Sequence, residues 1–201
     1  MRAGRCAASI VAAFWIGIVF DGPRFAAQIP EPSGPQMPHE DAGACPFEGC
    51  IYRDWVANDA IAVRQQRGPG AAIAFHLTRG ERVQATTGVV VTLTPGRVQF
   101  RTAVTLSSAS GSIRIAPGQM LYLLTYRGEG FTLAWFEGRL YDDVDGSTAF
   151  FNERCANGSN QCAGTILERP RSVWWVQIRN ANGQIGWTDQ PEKFGNKDAV
   201  G

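Results

Sequence analysis

Residues 172–187 limit the possible folds of this chain more than any other stretch. Two runs of alternating apolar and polar residues, 173–179 and 184–188, lie on either side of Asn182-Gly183. Asn-Gly between two such runs is a strong signal for a tight β-hairpin, because both residues tolerate the positive φ angles of a type I′ turn. We therefore predict a closing hairpin with which upstream strands must pair.

The preceding residues follow the same pattern, and no run of useful length after the N-terminal segment has a helical period. Alternation with a period of two is typical of strands, and many short strands at close spacing are typical of small barrels or sandwiches. The chain has 201 residues, of which 44% are apolar, enough for one substantial domain or two small ones. We predict an all-β fold. The predicted strands are 51–56, 60–64, 73–77, 82–91, 98–100, 119–126, 131–136 and 139–141.

Turn residues suggest how these strands connect. Thr94-Pro95-Gly96 predicts a hairpin between the long strand and residues 98–100, and the small polar residues 107–112 predict a loop. Residues 119–126 are apolar on both faces, which predicts a central strand. Residues 142–164 form the longest polar insertion and are expected at the surface.

The N-terminus resembles an export signal. Arg2 and Arg5 precede an apolar run over 6–20, which Asp21-Gly22-Pro23 ends. We predict a signal peptide over 1–27 and a periplasmic or extracellular protein. An uncleaved anchor is the alternative, because Arg24 or Phe25 would occupy a cleavage position where a small residue is preferred. A proline-rich spacer without a core is expected over 28–44, and a polar tail over 189–201 into which Phe194 folds back.

Four cysteines remain after the predicted signal. An even number in an exported protein indicates disulfide bonds, and three pairings are possible. The local pairs Cys45–Cys50 and Cys155–Cys162 are favoured, because Pro46, Gly49 and Gly158 allow the chain to turn back; crossed pairs remain open. Zinc is less favoured, since ligands in structural sites are usually two to four residues apart.

Two separated pieces carry a resemblance to a known family. The first comprises Ile61-Ala62-Val63-Arg64, Pro69 and Leu77-Thr78-Arg79-Gly80-Glu81-Arg82-Val83. The second comprises Trp175-Val176-Gln177-Ile178-Arg179, Asn182-Gly183 and Gly186-Trp187. Together they resemble the opening strand, glycine turn and closing hairpin of the bacterial SH3-type domain. The resemblance implies a small SH3-like barrel over 45–188, with barrel pieces at 61–88 and 173–188.

The two pieces lie farther apart than in that family. Residues 89–172 are therefore either a large β insertion into one barrel or part of a second barrel in tandem. Ile115-Ala116-Pro117-Gly118-Gln119-Met120-Leu121 echoes residues 77–83 in its order of apolar, small, turn, glycine and strand residues. This repeat slightly favours duplicated barrels.

Alternation assigns the tryptophans of the closing hairpin to faces. Trp174 shares a face with Val176 and Ile178 and is predicted to be core, whereas Trp175 shares a polar face with Gln177 and Arg179. Either the inserted segment covers Trp175, or its ring is a stacking platform for a peptide or sugar. The candidate ligand-binding residues are Trp175, Arg179, Trp187, Tyr126 and Trp135.

The SH3-like resemblance implies binding of an extended peptide or, in exported bacterial proteins, of cell-wall peptide or glycan. The alternative is a structural or assembly protein that binds an envelope protein. The formal net charge of +1 argues against nucleic acid. Contact with a membrane is expected only through an uncleaved signal.

No catalytic constellation, metal site or cofactor site is predicted. His76 lies in a short apolar strand, as a structural histidine would, and the carboxylate pairs Glu48 with Asp54 and Glu129 with Glu137 depend on unknown tertiary contacts. The residues Asp142-Asp143-Val144-Asp145-Gly146 lack the first and last ligands of a calcium loop. We therefore expect a binding protein and not an enzyme.

Overall fold

The computed structural model describes residues 34–151, 155 and 162–199. The predicted signal peptide, 1–27, lies outside them. Apart from 3₁₀ structure at residue 155 and at Pro191–Lys193, the regular structure of these residues consists of strands, and the fold is all-β and barrel-like, as predicted.

The first sheet has eight strands, taken from both sides of the middle of the chain. Its strands are β1 (His39–Ala42), β2 (Asp54–Ala57), β3 (Ile61–Arg64), β4 (Ile73–Leu77), β5 (Arg82–Thr94), β13 (Arg171–Arg179), β14 (Ile185–Thr188) and β15 (Phe194–Gly195). They are ordered β15-β2-β5-β13-β14-β3-β4, and β1 adds to β5. The alternating burial of β2, β3 and β5 places one face of this sheet on a core.

The second sheet is built from the residues between β5 and β13. Its five strands are β6 (Gly96–Phe100), β9 (Met120–Gly128), β10 (Phe131–Phe136), β11 (Arg139–Asp145) and β12 (Gly164–Glu168), and the hairpin of β7 (Val104–Ser108) and β8 (Gly111–Ile115) lies beside β11. The order is β11-β10-β9-β6-β12, so β9 is central, as its two apolar faces predict.

The two sheets repeat one strand order. If β2, β3, β4, β5, β13, β14 and β15 are counted as strands one to seven, the first sheet has the order seven, one, four, five, six, two, three. If β6 to β12 are likewise counted as strands one to seven, the second sheet has the order seven, one, four, five, six. The hairpin of strands two and three, β7 and β8, lies beside strand six, β11. The second set of strands is inserted between strands four and five of the first.

The turn before strand four has the same hydrogen bonds in both sets. The N–H of Gly80 donates to Ala57 O at 2.8 Å, and the N–H of Gly118 donates to Phe100 O at 2.7 Å. Both glycines have positive φ angles, 89° and 86°. The Glu81 carboxylate accepts from the N–H of Thr78, as the Gln119 amide oxygen does from the N–H of Ala116. The repeat seen in the sequence is therefore a repeat of backbone geometry.

Each sheet has its own hydrophobic core. The first core is rich in aromatic residues: Trp55 and Phe194 are buried, and Tyr52 and Trp174 pack against them. Trp174, Val176 and Ile178 all face this core, as predicted. The second core is mainly aliphatic, with Phe100 and Phe150 among its buried members.

Three sequence predictions in the middle of the chain are wrong. Pro95 does not turn β5 into a hairpin; β5 and β6 belong to different sheets, because a Thr-Pro-Gly bend can equally redirect a strand across a fold. Residues 107–112 are not a loop, since β7 and β8 pair through Ser107 and Ser112. The polar insertion is not wholly at the surface, because Ala149 and Phe150 are buried.

The structure also differs from the prediction at both ends of the domain. The last part of the 28–44 spacer is the strand β1, whose partners on β5 run from Val89 to Thr92, and Ala44 is fully buried. The predicted tail contains the 3₁₀ helix and β15, although Phe194 folds back as expected and is 2% exposed. Backbone pairing explains both cases, because it does not require the apolar alternation that marks strands in the sequence.

The closing hairpin is confirmed, with a longer turn than predicted. Arg179 pairs with Ile185, so five residues connect β13 to β14. Gly183 has a φ of 79°, and Asn180 Oδ1 accepts from the N–H groups of Asn182 and Gln184. The Asn180 side chain thus supplies hydrogen bonds that a two-residue turn would not need.

The cysteines form the two local disulfide bonds that were favoured, Cys45–Cys50 and Cys155–Cys162. Two disulfide bonds indicate an oxidising, exported environment. Within the described residues, no helix has the length and apolar character needed to cross a membrane.

Candidate functional site

The candidate site lies where the chain crosses twice between the two sheets. β5 passes into β6 at Pro95, and β12 passes into β13 at Arg169-Pro170. The crossings run side by side, because Arg171 pairs with Thr94. A Cβ atom on Gly96 would lie 2.7 Å from Pro170 Cδ, so the close approach of the two crossings requires glycine there.

A cleft of about 700 Å³ opens beside these crossings. This volume is within the range of sites that bind small ligands or peptide segments. The first sheet supplies Val90 and Ser172, and the second supplies Leu123, Leu124, Tyr126 and Thr132. Connecting segments supply Pro46, Glu129, Gly130, Ser147, Phe151, Arg169 and Pro170.

The base of the cleft is apolar and fixed to both sheets. Val90 is 2% exposed and Leu124 is 1% exposed. The hydroxyl of Thr92 on β5 donates to Leu124 O on β9 at 3.2 Å, which links the two sheets by a buried hydrogen bond. Such a base is preformed, so a ligand in the cleft would not have to order the protein first.

Tyr126 forms part of one wall and is the predicted site residue that the cleft contains. Its side chain is 39% exposed. The ring meets Phe151 edge to face, with centroids 5.8 Å apart, and the hydroxyl accepts from the N–H of Gly130 at 3.2 Å. These two contacts hold the ring, so it can give a ligand contact area at little cost in conformational entropy.

Two charged side chains of opposite sign line the cleft. Glu129 begins the two-residue turn from β9 to β10, in which Glu129 and Gly130 have φ angles of 51° and 85°. Arg169 lies at the second crossing. Among the described residues, neither the Glu129 carboxylate nor the Arg169 guanidinium forms an ion pair. Both charges are available to a ligand.

A second pocket of about 320 Å³ shares Glu129 with the cleft. Arg127 lines it, and its Nη2 atom lies 3.1 Å from both Asp41 Oδ1 and Asp142 Oδ1. Glu48 and Asp143 also line this pocket, and neither has an ion pair within the part of the chain that the structure describes. Since two carboxylates already neutralise Arg127, the second pocket, which adjoins the cleft at Glu129, has excess negative charge.

The structure corrects the prediction for Trp175. Its ring lies on the face opposite Trp174, as alternation predicts, yet it is only 6% exposed and does not line the cleft. The ring is therefore not a stacking platform. Burial of the ring is expected, because a large ring on a polar face is more stable when covered; that the inserted segment covers it stays a prediction.

The other three predicted site residues lie outside the cleft. The guanidinium of Arg67 lies 5.6 Å from the centre of the Trp187 ring and donates to Glu40, and this hydrogen bond lowers the pKa of the Glu40 carboxyl. Arg179 is exposed at the end of β13. Trp135 is half-buried on β10, opposite Leu140. The structure thus does not bring the five residues together.

Most residues that line the cleft are not predicted from the sequence. Pro46 belongs to the first disulfide loop, Phe151 to the polar insertion, and Arg169 to the crossing from β12 to β13. The one sequence signal for this part of the cleft is Arg169-Pro170 between two strand-like runs, since proline marks the place where a strand leaves its hydrogen-bonded ladder.

The candidate catalytic pair Glu129 and Glu137 is separated, although Glu48, Glu129 and Asp143 line one pocket. Glu129 and Glu137 lie at opposite ends of β10, and His76 is exposed on β4 and not a buried structural histidine. Asp145 Oδ1 accepts from the N–H and hydroxyl of Ser147, so this part of the candidate calcium loop forms a local turn. Across residues 34–151, 155 and 162–199, no group of three or more His, Cys, Asp or Glu side chains could hold a metal ion.

Comparisons with known proteins give no assignment. No protein-family model, curated protein or solved structure matches this chain. The resemblance to bacterial SH3-type domains therefore remains a prediction that rests on the residues quoted for it.

Proposed function

We propose that this chain is a non-catalytic, exported binding module, and that it holds an extended peptide of the cell wall or envelope in the cleft between its two sheets. The observation that supports the proposal is the preformed apolar cleft of about 700 Å³, with the fixed Tyr126 ring on one wall. The SH3-like resemblance points to the same class of ligand.

The lining favours peptide over glycan. Sugars are usually held by several hydrogen-bonding side chains and exposed ring faces, whereas the base here consists of Val90, Leu123 and Leu124. An extended peptide would place apolar side chains on this base and its backbone along the hydroxyl groups of the walls. Ser172, which is exposed on β13, bears one of those hydroxyl groups.

The test is retention of the purified, disulfide-bonded protein on isolated cell-wall sacculi. Intact sacculi should retain it, and sacculi whose stem peptides an amidase has removed should not. Retention on glycan stripped of peptide would contradict the peptide assignment. Failure on both, with capture of one envelope protein instead, would favour the assembly role.

Two variants link retention to the cleft. Tyr126→Ala removes the ordered ring, and Ser172→Trp fills the cleft from an exposed position on β13. Each should weaken binding by roughly tenfold, the effect of losing one well-placed aromatic contact. Tyr122→Ala is the matched control, because Tyr122 is on the same strand but not in the cleft lining. Equal retention of all four proteins would contradict the site, provided that their thermal melting shows them folded.

A further inference from the structure

The cleft has two chemically different ends. At one end, Leu123 pairs with Gly96 beside the crossing that contains Arg169. At the other end, β9 finishes at Gly128 and the turn residue Glu129 follows. Residues 124–128 lie between Leu123 and Glu129, and these six steps along β9 and its turn span at most about 20 Å at ~3.3 Å per residue. We call these the arginine end and the glutamate end.

The neighbouring charged residues leave the charge at each end of the cleft uncompensated. Near Arg169, the neighbouring Glu168 carboxylate lies 3.1 Å from Arg97 Nε, so this carboxylate does not neutralise Arg169. Past Glu129, the cation Arg127 is occupied by Asp41 and Asp142 and does not neutralise Glu129. The cleft therefore presents one positive and one negative end with an apolar base between them.

We infer that the cleft selects an extended peptide with a basic group at one end, an apolar middle and a carboxylate at the other end. The inference rests on the proposed function and names its ligand class. The basic group lies over Glu129, where the pocket shared with Glu48 gives it room. The carboxylate lies over Arg169, which can bind it through two parallel N–H donors. Complementary charges at fixed separation select the ligand more than they tighten its binding.

The experiment uses blocked peptides of about six residues, the number that spans 20 Å. Each has the same Ala-Leu-Val-Ala middle, an acetylated N-terminus and an amidated C-terminus. The ends are lysine and glutamate, lysine twice, or glutamate twice. Because a peptide can lie in either direction along β9, the mixed peptide fits the wild-type cleft whichever residue comes first. Binding is measured by isothermal titration calorimetry, which needs no label on the blocked peptides.

Wild-type protein should prefer the mixed peptide over either symmetric one by about fivefold, since exposed ion pairs contribute up to ~1 kcal/mol. Arg169→Glu makes both ends negative and should shift the preference to the double-lysine peptide. Glu129→Arg should shift it to the double-glutamate peptide. This exchange of preference would not follow from a structural role of either residue.

Matched controls separate the cleft from the general field of the protein. Arg171→Glu makes the same charge change on an exposed side chain two residues from Arg169 that does not line the cleft. Glu137→Arg makes the same charge change as Glu129→Arg, in the Glu137-Gly138 turn, where the φ of Glu137, 44°, is similar to the 51° of Glu129. Both control variants should keep the wild-type preference.

The outcomes distinguish the two proposals. If wild-type protein binds none of the peptides, the proposed function fails. If it binds all three alike, or if the controls shift the preference as much as Arg169→Glu and Glu129→Arg do, the charge selection is wrong while peptide binding stands.

Discussion

The two sheets share one strand order but differ in what lies between their fourth and fifth strands. In the second sheet, the two residues Glu129-Gly130 connect β9 to β10. In the first sheet, the corresponding connection from β5 to β13 contains the whole second sheet. The comparison shows that this connection tolerates a large insertion, and that the cleft exists because the insertion brings the two sheets together.

The loops between strands two and three differ as well. Residues 65–72 connect β3 to β4, and Arg67 from this loop lies over Trp187. In the second sheet, Ala109 and Ser110 alone connect β7 to β8. The first sheet thus covers an aromatic side chain with a loop that the second sheet lacks.

The largest expected effect comes from removing the largest buried side chain of one core. Trp55→Ala should lower the free energy of unfolding by about 3–5 kcal/mol, because it leaves a cavity among rings. If the cores are separate, hydrogen exchange should increase in β2 and β5 while β9 and β10 keep their protection. Phe100→Ala is the converse variant and should increase exchange in β6 and β9 first. Equal loss of protection in both sheets would show a single cooperative core.

The next effect concerns close packing in the first sheet. A Cβ atom on Gly88 would lie 2.1 Å from Tyr52 Oη and 2.5 Å from Trp174 Nε1. Gly88→Ala should therefore cost about 1–3 kcal/mol in a denaturant titration, since both rings must move. Gly70→Ala is the control, because nothing lies within 4 Å of the added atom, and it should change stability little. Equal stability of the two variants would contradict the packing.

A smaller pair of effects tests whether the two turns are equivalent. Glu81→Ala and Gln119→Ala each remove the side chain that accepts from the N–H three residues earlier. Each should cost about 0.5–1.5 kcal/mol, which chemical denaturation can resolve. Glu81→Gln should retain most of the stability because its amide oxygen still accepts. A loss of stability at only one of the two turns would show that the turns are not equivalent.

The smallest effect at neutral pH concerns Tyr52. Burial raises the pKa of its hydroxyl from 10.0 to about 12, against a smaller lowering by the hydrogen bond from Trp174. Because the folded state has the higher pKa, the resulting stability is fully present below pH 10 and is lost as the pH rises towards 12. Ultraviolet titration should show one tyrosine that ionises late. That late step should be absent from Tyr52→Phe; its persistence there would assign it to another tyrosine.

The sequence predicts the parts of this fold that depend on local pattern. The strands 73–77 and 131–136 have the predicted bounds, because alternation and glycine turns mark their ends. The local disulfide bonds follow from short loops. In contrast, β1 is polar and pairs through its backbone, and Thr94-Pro95-Gly96 has the same signal whether the chain forms a hairpin or crosses to another sheet.

The candidate site is harder to predict because its lining comes from several separate segments. Alternation identifies the face of Trp175, but it does not show what covers that face. Tyr126 was found because it is aromatic on a strand with two apolar faces. The roles proposed for Arg169 and Glu129 depend on their positions at opposite ends of the cleft, which the sequence does not show.

The paired crossings at Pro95 and Pro170 also bear on the order in which we expect this chain to fold. β5 and β13 cannot pair until a long intervening segment has brought their ends together, which costs loop-closure entropy. All strands of the second sheet lie within that segment, and the pairing of its first strand, β6, with its last strand, β12, closes the segment when the sheet forms. We therefore expect the inserted half to fold first and to act as the template on which the outer half assembles. During export, the outer half must wait until β13 has emerged.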